Sequence, residues 1–136
     1  MIEGDQQTYV GARVPRREDG RLLAGRGRFV GGVRLPGMAH AVVVRSPVPH
    51  GRLVRCGIDA VTALDGVLDV ITPADAAALR LPCYTPAPGQ RQTDYPVLDE
   101  VVRYVGQPLV VVVARTPELA QDAADLVDLE FDELPR

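Results

Sequence analysis

The residues that most restrict the fold of this chain run from Pro108 to Ala114, Pro-Leu-Val-Val-Val-Val-Ala. Branching at Cβ narrows χ1 in a helix and suits a pleated backbone, so four successive valines predict a strand. The run has no polar alternation, so neither face of the strand suits water, and both should be covered by helix or sheet. Pro108 has no N–H to give to a ladder and should take the strand's first position, while Gly106 permits a bend that a Cβ would hinder. A Gly106-Gln107-Pro108 corner fixes geometry; it supplies no catalytic group.

Length and composition bound what can surround that strand. The 136 residues amount to one domain, enough to bury a core without metal or disulfide staples. No apolar run approaches the ~18 residues of a membrane span, and the first residues lack the apolar core of a signal peptide. The expectation is a soluble, cytoplasmic protein with no membrane partner, export on another subunit's signal being the alternative. Cys56 and Cys83 are too few and too far apart for a metal or iron–sulfur motif and are expected to be free thiols.

The formal net charge is −3, but it is unevenly spread: residues 1–55 hold ten arginines against four acids, +6, and the remainder five against fourteen, −9. Every base is arginine and none is lysine. Arginine suits fixed bidentate pairing with carboxylates, although a genome rich in G and C would give the same bias. A nucleic-acid partner would call for a basic domain with stacking aromatics, whereas this chain is acidic with 4% aromatic residues. The pattern fits an arginine-rich edge that docks on an acidic neighbour.

In chain order, residues 1–21 carry Gly4, Gly11, Pro15 and Gly20 among charged residues without sustained periodicity, which predicts an extended arm stabilised only by contact with something else. Residues 22–136 then form the domain. Gly25-Arg26-Gly27-Arg28 is no dinucleotide fingerprint, because position 30 is Val and no helical pattern follows. Met38–Arg45 reads as a strand between Pro36-Gly37 and Ser46-Pro47. His40 in that strand and His50 in the next turn lack a nearby Cys or carboxylate and make a poor metal site. Ser46 with His50 as base would be a hydrolase arrangement, but it lacks a nucleophile elbow and an acid to orient the base.

A compact β-α-β unit is expected next: Gly51–Ile58 with Leu53, Cys56 and Ile58 as its apolar members, Asp59 capping a short helix Ala60–Leu64, Gly66 ending it, and Val67–Ile71 returning. Thr72-Pro73-Ala74-Asp75 has the grammar of a second helix start, running to Leu79. Residues 80–96, with Pro82, Pro86, Pro88, Gly89 and Pro96, predict an irregular connection packed on a partner, with Tyr84, Gln90, Arg91 and Tyr95 available to it. Order resumes at Pro96-Val97-Leu98. Thr116 caps and Pro117 starts a closing helix with Leu119, Ala123, Leu126 and Val127 on its apolar side. The final strand points Val127, Leu129 and Phe131 one way and Asp128, Glu130 and Asp132 the other.

The collinear series Val14-Pro15-Arg16, Leu22-Leu23-Ala24-Gly25-Arg26-Gly27-Arg28-Phe29, Leu35-Pro36-Gly37-Met38, Val44-Arg45-Ser46-Pro47, His50-Gly51-Arg52-Leu53, Gly66-Val67, Thr72-Pro73-Ala74-Asp75, Pro96-Val97-Leu98 and Val102-Arg103-Tyr104-Val105-Gly106-Gln107-Pro108, with the closing helix and strand, resembles the N-terminal α/β-hammerhead domain of molybdenum hydroxylase large subunits. These are the xanthine dehydrogenase, aldehyde oxidase and carbon monoxide dehydrogenase relatives. The resemblance covers nearly the whole chain. One position departs: where the family has one or two aspartates after Phe29-Val30, this chain has Gly31-Gly32, which removes an acid that would anchor the turn or an arginine of the arm.

The resemblance implies an α+β fold, an α/β-hammerhead with a curved, largely antiparallel sheet and two or three short helices. It also implies that molybdopterin, the glutamate base and the substrate pocket belong to longer domains following the hammerhead, and that iron–sulfur clusters and FAD belong to other domains or subunits. No catalytic, cofactor-binding or metal residue carries over to this chain, which alone is expected to be inactive. The expected role is a noncatalytic structural subunit or fragment docking on a separate molybdopterin-binding chain, with iron–sulfur and flavin subunits as further partners. The assembly would hydroxylate an aldehyde, a heteroaromatic carbon or a similar small substrate with oxygen from water. The alternative is a freestanding module that binds a ligand or another protein. Arg16, Arg45, His50, Arg103 and Gln107 are the candidates for interdomain polar contacts; the competing role for them is to satisfy backbone groups at strand ends.

Overall fold

The computed structural model describes residues 10–11, 13–82 and 94–135, which fall into two units, one up to Pro36 and one from Gly37 onward. In chain order the elements are α1 (Asp19–Leu23), β1 (His40–Arg45), β2 (Gly51–Gly57), α2 (Asp59–Thr62), β3 (Val67–Ile71), β4 (Arg80–Pro82), β5 (Asp94–Pro96), β6 (Val101–Val102), β7 (Pro108–Ala114), α3 (Pro117–Asp125) and β8 (Asp128–Glu133), with a 3-10 turn at Val30–Gly32. None of the helices described is long and apolar enough to cross a membrane.

The valine strand β7 starts at Pro108 and is the middle strand of a sheet ordered β1-β7-β3, antiparallel to both neighbours. Pairing on both edges suits β-branched residues, whose side chains pack across to Val42, Val43 and Val44 on β1. Helix α3 lies across all three strands of this sheet. Its Ala123 and Ala124 share one core cluster with Val110 and Val112, with Val42 and Val44 packed against it. Alanines at these positions let helix and sheet approach closely. The helix starts as its sequence requires: the Thr116 hydroxyl accepts from the Leu119 N–H at 3.2 Å, Pro117 follows, and Glu118 meets the positive end.

The other face of β7 departs from the expectation. Leu109 there is buried, but Val111 and Val113 are only half-buried. Cover on both faces is therefore complete on the α3 side and partial on the opposite one.

A second sheet runs β6-β2-β8, and a two-stranded ribbon pairs β4 with β5; every pairing is antiparallel. The expected single curved sheet is thus three smaller ones. A register shift between Leu53 and Arg55 bulges β2 against β8. The bulge lets Leu53 lie opposite Phe131 and Cys56 opposite Leu129, so apolar residues three apart both face inward while Val54 is left exposed. On β8, Leu129 and Phe131 pack on the core and Asp128, Glu130 and Asp132 face outward.

Four local expectations are corrected. The β-α-β unit is not one, because β2 and β3 lie in different sheets; the link between them is shorter than the dozen or so residues a parallel crossover needs. Its helix α2 has Asp59 as its first residue and Ile58 at the cap. Thr72–Leu79 forms consecutive turns instead of a helix: Asp75 does reach back to the Thr72 N–H at 2.8 Å and hydroxyl at 2.6 Å, but the later bonds, Ala77 to Ala74 and Leu79 to Ala76, are of the tighter 3-10 kind. A helix so short has little propagation to offset its nucleation cost, and β4 follows at once. The connection 80–96 is regular at both ends, where Leu81 pairs with Tyr95 and Pro82 with Asp94; Tyr84, Gln90 and Arg91 lie outside the described residues.

In the first unit, the expected arm is not extended throughout, since α1 spans Asp19–Leu23. This helix crosses the expected limit at residue 21 and is held by local bonds, Leu22 N–H to Glu18 carbonyl at 2.9 Å and an Arg21–Glu18 ion pair at 2.5 Å.

Candidate functional site

Three of the five candidate polar residues meet at the corner before β7. The residue after β1, Ser46, is joined to that corner by two backbone hydrogen bonds: its N–H donates to the Gln107 carbonyl at 2.9 Å, and its carbonyl accepts from the Gly106 N–H at 2.8 Å. Gly106 has φ +89°, a left-handed conformation that a Cβ would penalise. Arg45 closes the corner from β1, its Nη1 donating to the Gly106 carbonyl at 2.9 Å.

Gln107 is only 6% exposed, and its amide is used at both ends. Oε1 accepts from the Arg103 N–H at 2.9 Å and Nε2 donates to the Val101 carbonyl at 2.8 Å. A buried amide of this kind ties the end of β6 to the start of β7 and removes two backbone groups from the unsatisfied count. Arg103 Nη1 reaches Asp99 Oδ2 at 2.6 Å and the Val101 carbonyl at 3.0 Å. Asp99 Oδ1 accepts from the Val101 N–H at 3.1 Å. Partial burial pushes the Asp99 carboxyl up, but the hydrogen bonds from Arg103 and Val101, with the charge of Arg103, outweigh it and hold the group below the ordinary carboxylate range.

His50 acts separately, its Nδ1 2.6 Å from the Pro135 carbonyl while its own carbonyl accepts from the Leu134 N–H at 3.1 Å. The Ser46 hydroxyl donates to the Val48 carbonyl at 2.9 Å and accepts from the Val48 N–H at 3.1 Å. Serine and histidine are thus each bonded to backbone, and the geometry offers no nucleophile–base pair. Burial pushes the Cys56 thiol up, which disfavours the reactive thiolate; Cys83 lies outside the described residues. Among the described residues no three His, Cys, Asp or Glu side chains gather as a metal site would require.

Arg16 belongs to the first unit, where it is exposed and its carbonyl accepts from the Asp19 N–H at 3.2 Å. No described residue of that unit is buried. Leu23, Phe29 and Val30 are 88%, 70% and 93% exposed, in a segment that also carries Arg21, Arg26 and Arg28.

Two features escaped the reading of the sequence. Asp99 is the partner that orients Arg103, and its position four residues earlier was the available signal. Beside the corner lies a mostly apolar cavity of about 530 Å³, with Leu81, Tyr95, Val97 and Tyr104 among its lining residues. No signal in the sequence pointed to it, because β5 and the corner are brought together only by the fold.

A small antiparallel α+β domain with structural polar knots and no assembled reaction centre among its described residues is the class defined by this geometry. The family description "Aldehyde oxidase and xanthine dehydrogenase, a/b hammerhead domain" matches residues 24–135, and the chain belongs to this family. It is 41% identical over 131 residues to the nicotine 6-hydroxylase large subunit of Paenarthrobacter nicotinovorans, covering 94% of this chain and 16% of that protein. It is 35% identical over 123 residues to the carbon monoxide dehydrogenase large chain of Hydrogenophaga pseudoflava, covering 90% and 15%. Among solved structures, quinoline 2-oxidoreductase from Pseudomonas putida 86 superposes with a TM-score of 0.80 at 41% identity, over 92% of this chain and 16% of that one. The chain therefore spans about a sixth of the length of these relatives.

Proposed function

We propose that this domain is a noncatalytic structural component of a molybdenum hydroxylase of the aldehyde oxidase and xanthine dehydrogenase type. In this reading it docks through its arm, residues 1–21, and through residues 80–96, on a separate molybdopterin-binding chain. The observation that carries the proposal is the first unit's lack of any buried residue among those described. Leu23, Phe29 and Val30, which follow the arm in that unit, stand in water; local bonds leave them uncovered, and arginine with large apolar side chains is the composition of an interface anchor. Arg16, Arg45 and Arg103 are exposed and would offer guanidinium donors to the partner, while His50 and Gln107 hold the strand ends from which those contacts project.

Names of relatives suit this reading. They include the nicotinate dehydrogenase large molybdopterin subunit of Eubacterium barkeri and the 6-hydroxypseudooxynicotine dehydrogenase complex subunit gamma of Paenarthrobacter nicotinovorans. Molybdopterin would be held by the docked chain and would supply the oxygen-transfer chemistry, with iron–sulfur clusters and FAD on further subunits and the assembly in the cytoplasm. This chain's part is to position and exclude solvent.

Affinity purification of the tagged chain from its native cells tests the proposal. Molybdenum in the eluate together with a larger co-purifying chain is the expected result; a clean monomer with neither overturns it. That second outcome would favour a freestanding binding module, for which the apolar cavity beside Tyr95 and Tyr104 is the supporting observation.

A further inference from the structure

The face of the β1-β7-β3 sheet opposite α3 carries two cross-strand rows. Register places Ala41, Val113 and Asp69 side by side in one, and Val43, Val111 and Ile71 in the other. Five of these six side chains are apolar. Within this chain Ala41 and Val43 are exposed, Val43 at 36%, and Val111, Val113 and Ile71 are half-buried. The opposite face of the same strands is closed by α3, with Val110, Val112 and Ala114 fully buried.

A central strand of four successive valines is the composition of a sheet covered on both sides. A solvated face would instead alternate with polar residues, and on this face Asp69 is the single polar member of the two rows. From this mismatch we infer that the α3-distal face of the sheet is a second docking surface, distinct from the arm, and that an apolar layer of the molybdopterin-bearing chain covers it. The inference rests on the proposed role of the domain in such an assembly.

Two observations select that occupant. The same domain, at a TM-score of 0.80, is about a sixth of a much longer chain in a solved relative, so the relative has ample further chain from which a covering layer can come. The Asp69 carboxylate at the rim, exposed and accepting only from the Val70 N–H at 2.9 Å among the described residues, calls for a basic side chain on the covering layer. A flat apolar patch with one acid at its edge matches a helix or strand layer that carries aliphatic residues and one Arg or Lys.

Molybdenum recovery with tagged variants expressed in native cells tests this surface. Val43→Asp should lower the molybdenum and the larger chain recovered by at least tenfold, with the melting temperature of the purified chain within ~5 °C of wild type, because the position is exposed. Ala41→Arg should do the same and decides the matter if Val43→Asp does not fold. Leu126→Asp, at an exposed apolar position of the α3 end, should leave recovery unchanged. Wild-type recovery by both Val43→Asp and Ala41→Arg, or an equal loss with Leu126→Asp, overturns the inference and leaves the docking role standing. No molybdenum with the wild-type chain overturns both.

Discussion

Leu109 and Leu23 are the same residue type with opposite environments, one fully buried and the other 88% exposed. The difference lies in the range of the contacts each unit can make. From Gly37 onward, pairing joins residues far apart in sequence, His40 with Ala114 and Leu53 with Phe131, and each such pairing encloses apolar side chains between layers. Before Pro36, the backbone bonds described are local ones, such as Arg26 to Arg21 and Gly32 to Phe29. Local bonds order a turn of helix but enclose nothing, so the apolar residues of that segment remain available to another surface. A long-range sheet encloses a core; a short-range segment does not.

Substitutions that separate the two regions test the contrast most directly. Leu109→Ala should cost the largest amount, about 3 kcal/mol in denaturant unfolding, through lost burial and a residual cavity. A loss below about 1 kcal/mol would mean that the core relaxes around β7 and that the contrast in packing is overstated. Gln107→Ala should cost about 2 kcal/mol, because the Arg103 N–H and the Val101 carbonyl lose their buried partner. A neutral result would show that water replaces the amide and that the corner is not a knot.

Asp99→Asn sharpens the comparison through pH. The folded carboxyl binds its proton less tightly than the unfolded one, so its contribution is present above about pH 4 and fades as pH falls through the lowered folded value. Wild type and variant should therefore differ in melting temperature near neutrality and converge in acid; a constant gap from neutral pH to strong acid would rule out the carboxylate as the source. The smallest effect is expected from Leu23→Ala, within about 0.5 kcal/mol. A cost equal to that of Leu109→Ala would give the first unit a core of its own and dissolve the distinction.

Elements defined by a dense local signal were legible in advance. The strand Pro108–Ala114 and the helix opening at Thr116-Pro117 appear where a missing N–H, β-branching and a capping hydroxyl put them. Val67–Ile71 likewise keeps its expected bounds. Errors arose where a local signal had two global outcomes. Thr72-Pro73-Ala74-Asp75 makes its cap, yet the alanines that follow form turns, and Arg80–Pro82 just after them is a strand paired with Asp94–Pro96. Gly51–Ile58 reads as an alternating strand with Leu53 and Cys56 among its apolar members, but these are three residues apart, and it is the bulge opposite Phe131 and Glu130 that turns both inward. For the candidate site, Arg45, Arg103 and Gln107 were legible as polar residues at strand ends, but their joint attachment around Gly106 was not.

The amino-acid sequence by itself determined the family pattern, the direction and limits of the central strand, the helix that follows it, and the separation of an arginine-rich beginning from an acidic remainder. The family pattern and the charge split are read from residue order along the whole chain, while the strand and the helix depend on residues within a few positions of one another, where sterics and hydrogen bonding are set locally. Only the tertiary structure decided that β2 and β3 part into different sheets, that Gln107 is buried between β6 and β7, and that one face of the valine strand is closed by α3 while the other is not. Burial is a property of layers, and a layer is made by residues that meet from distant parts of the chain or from another chain altogether.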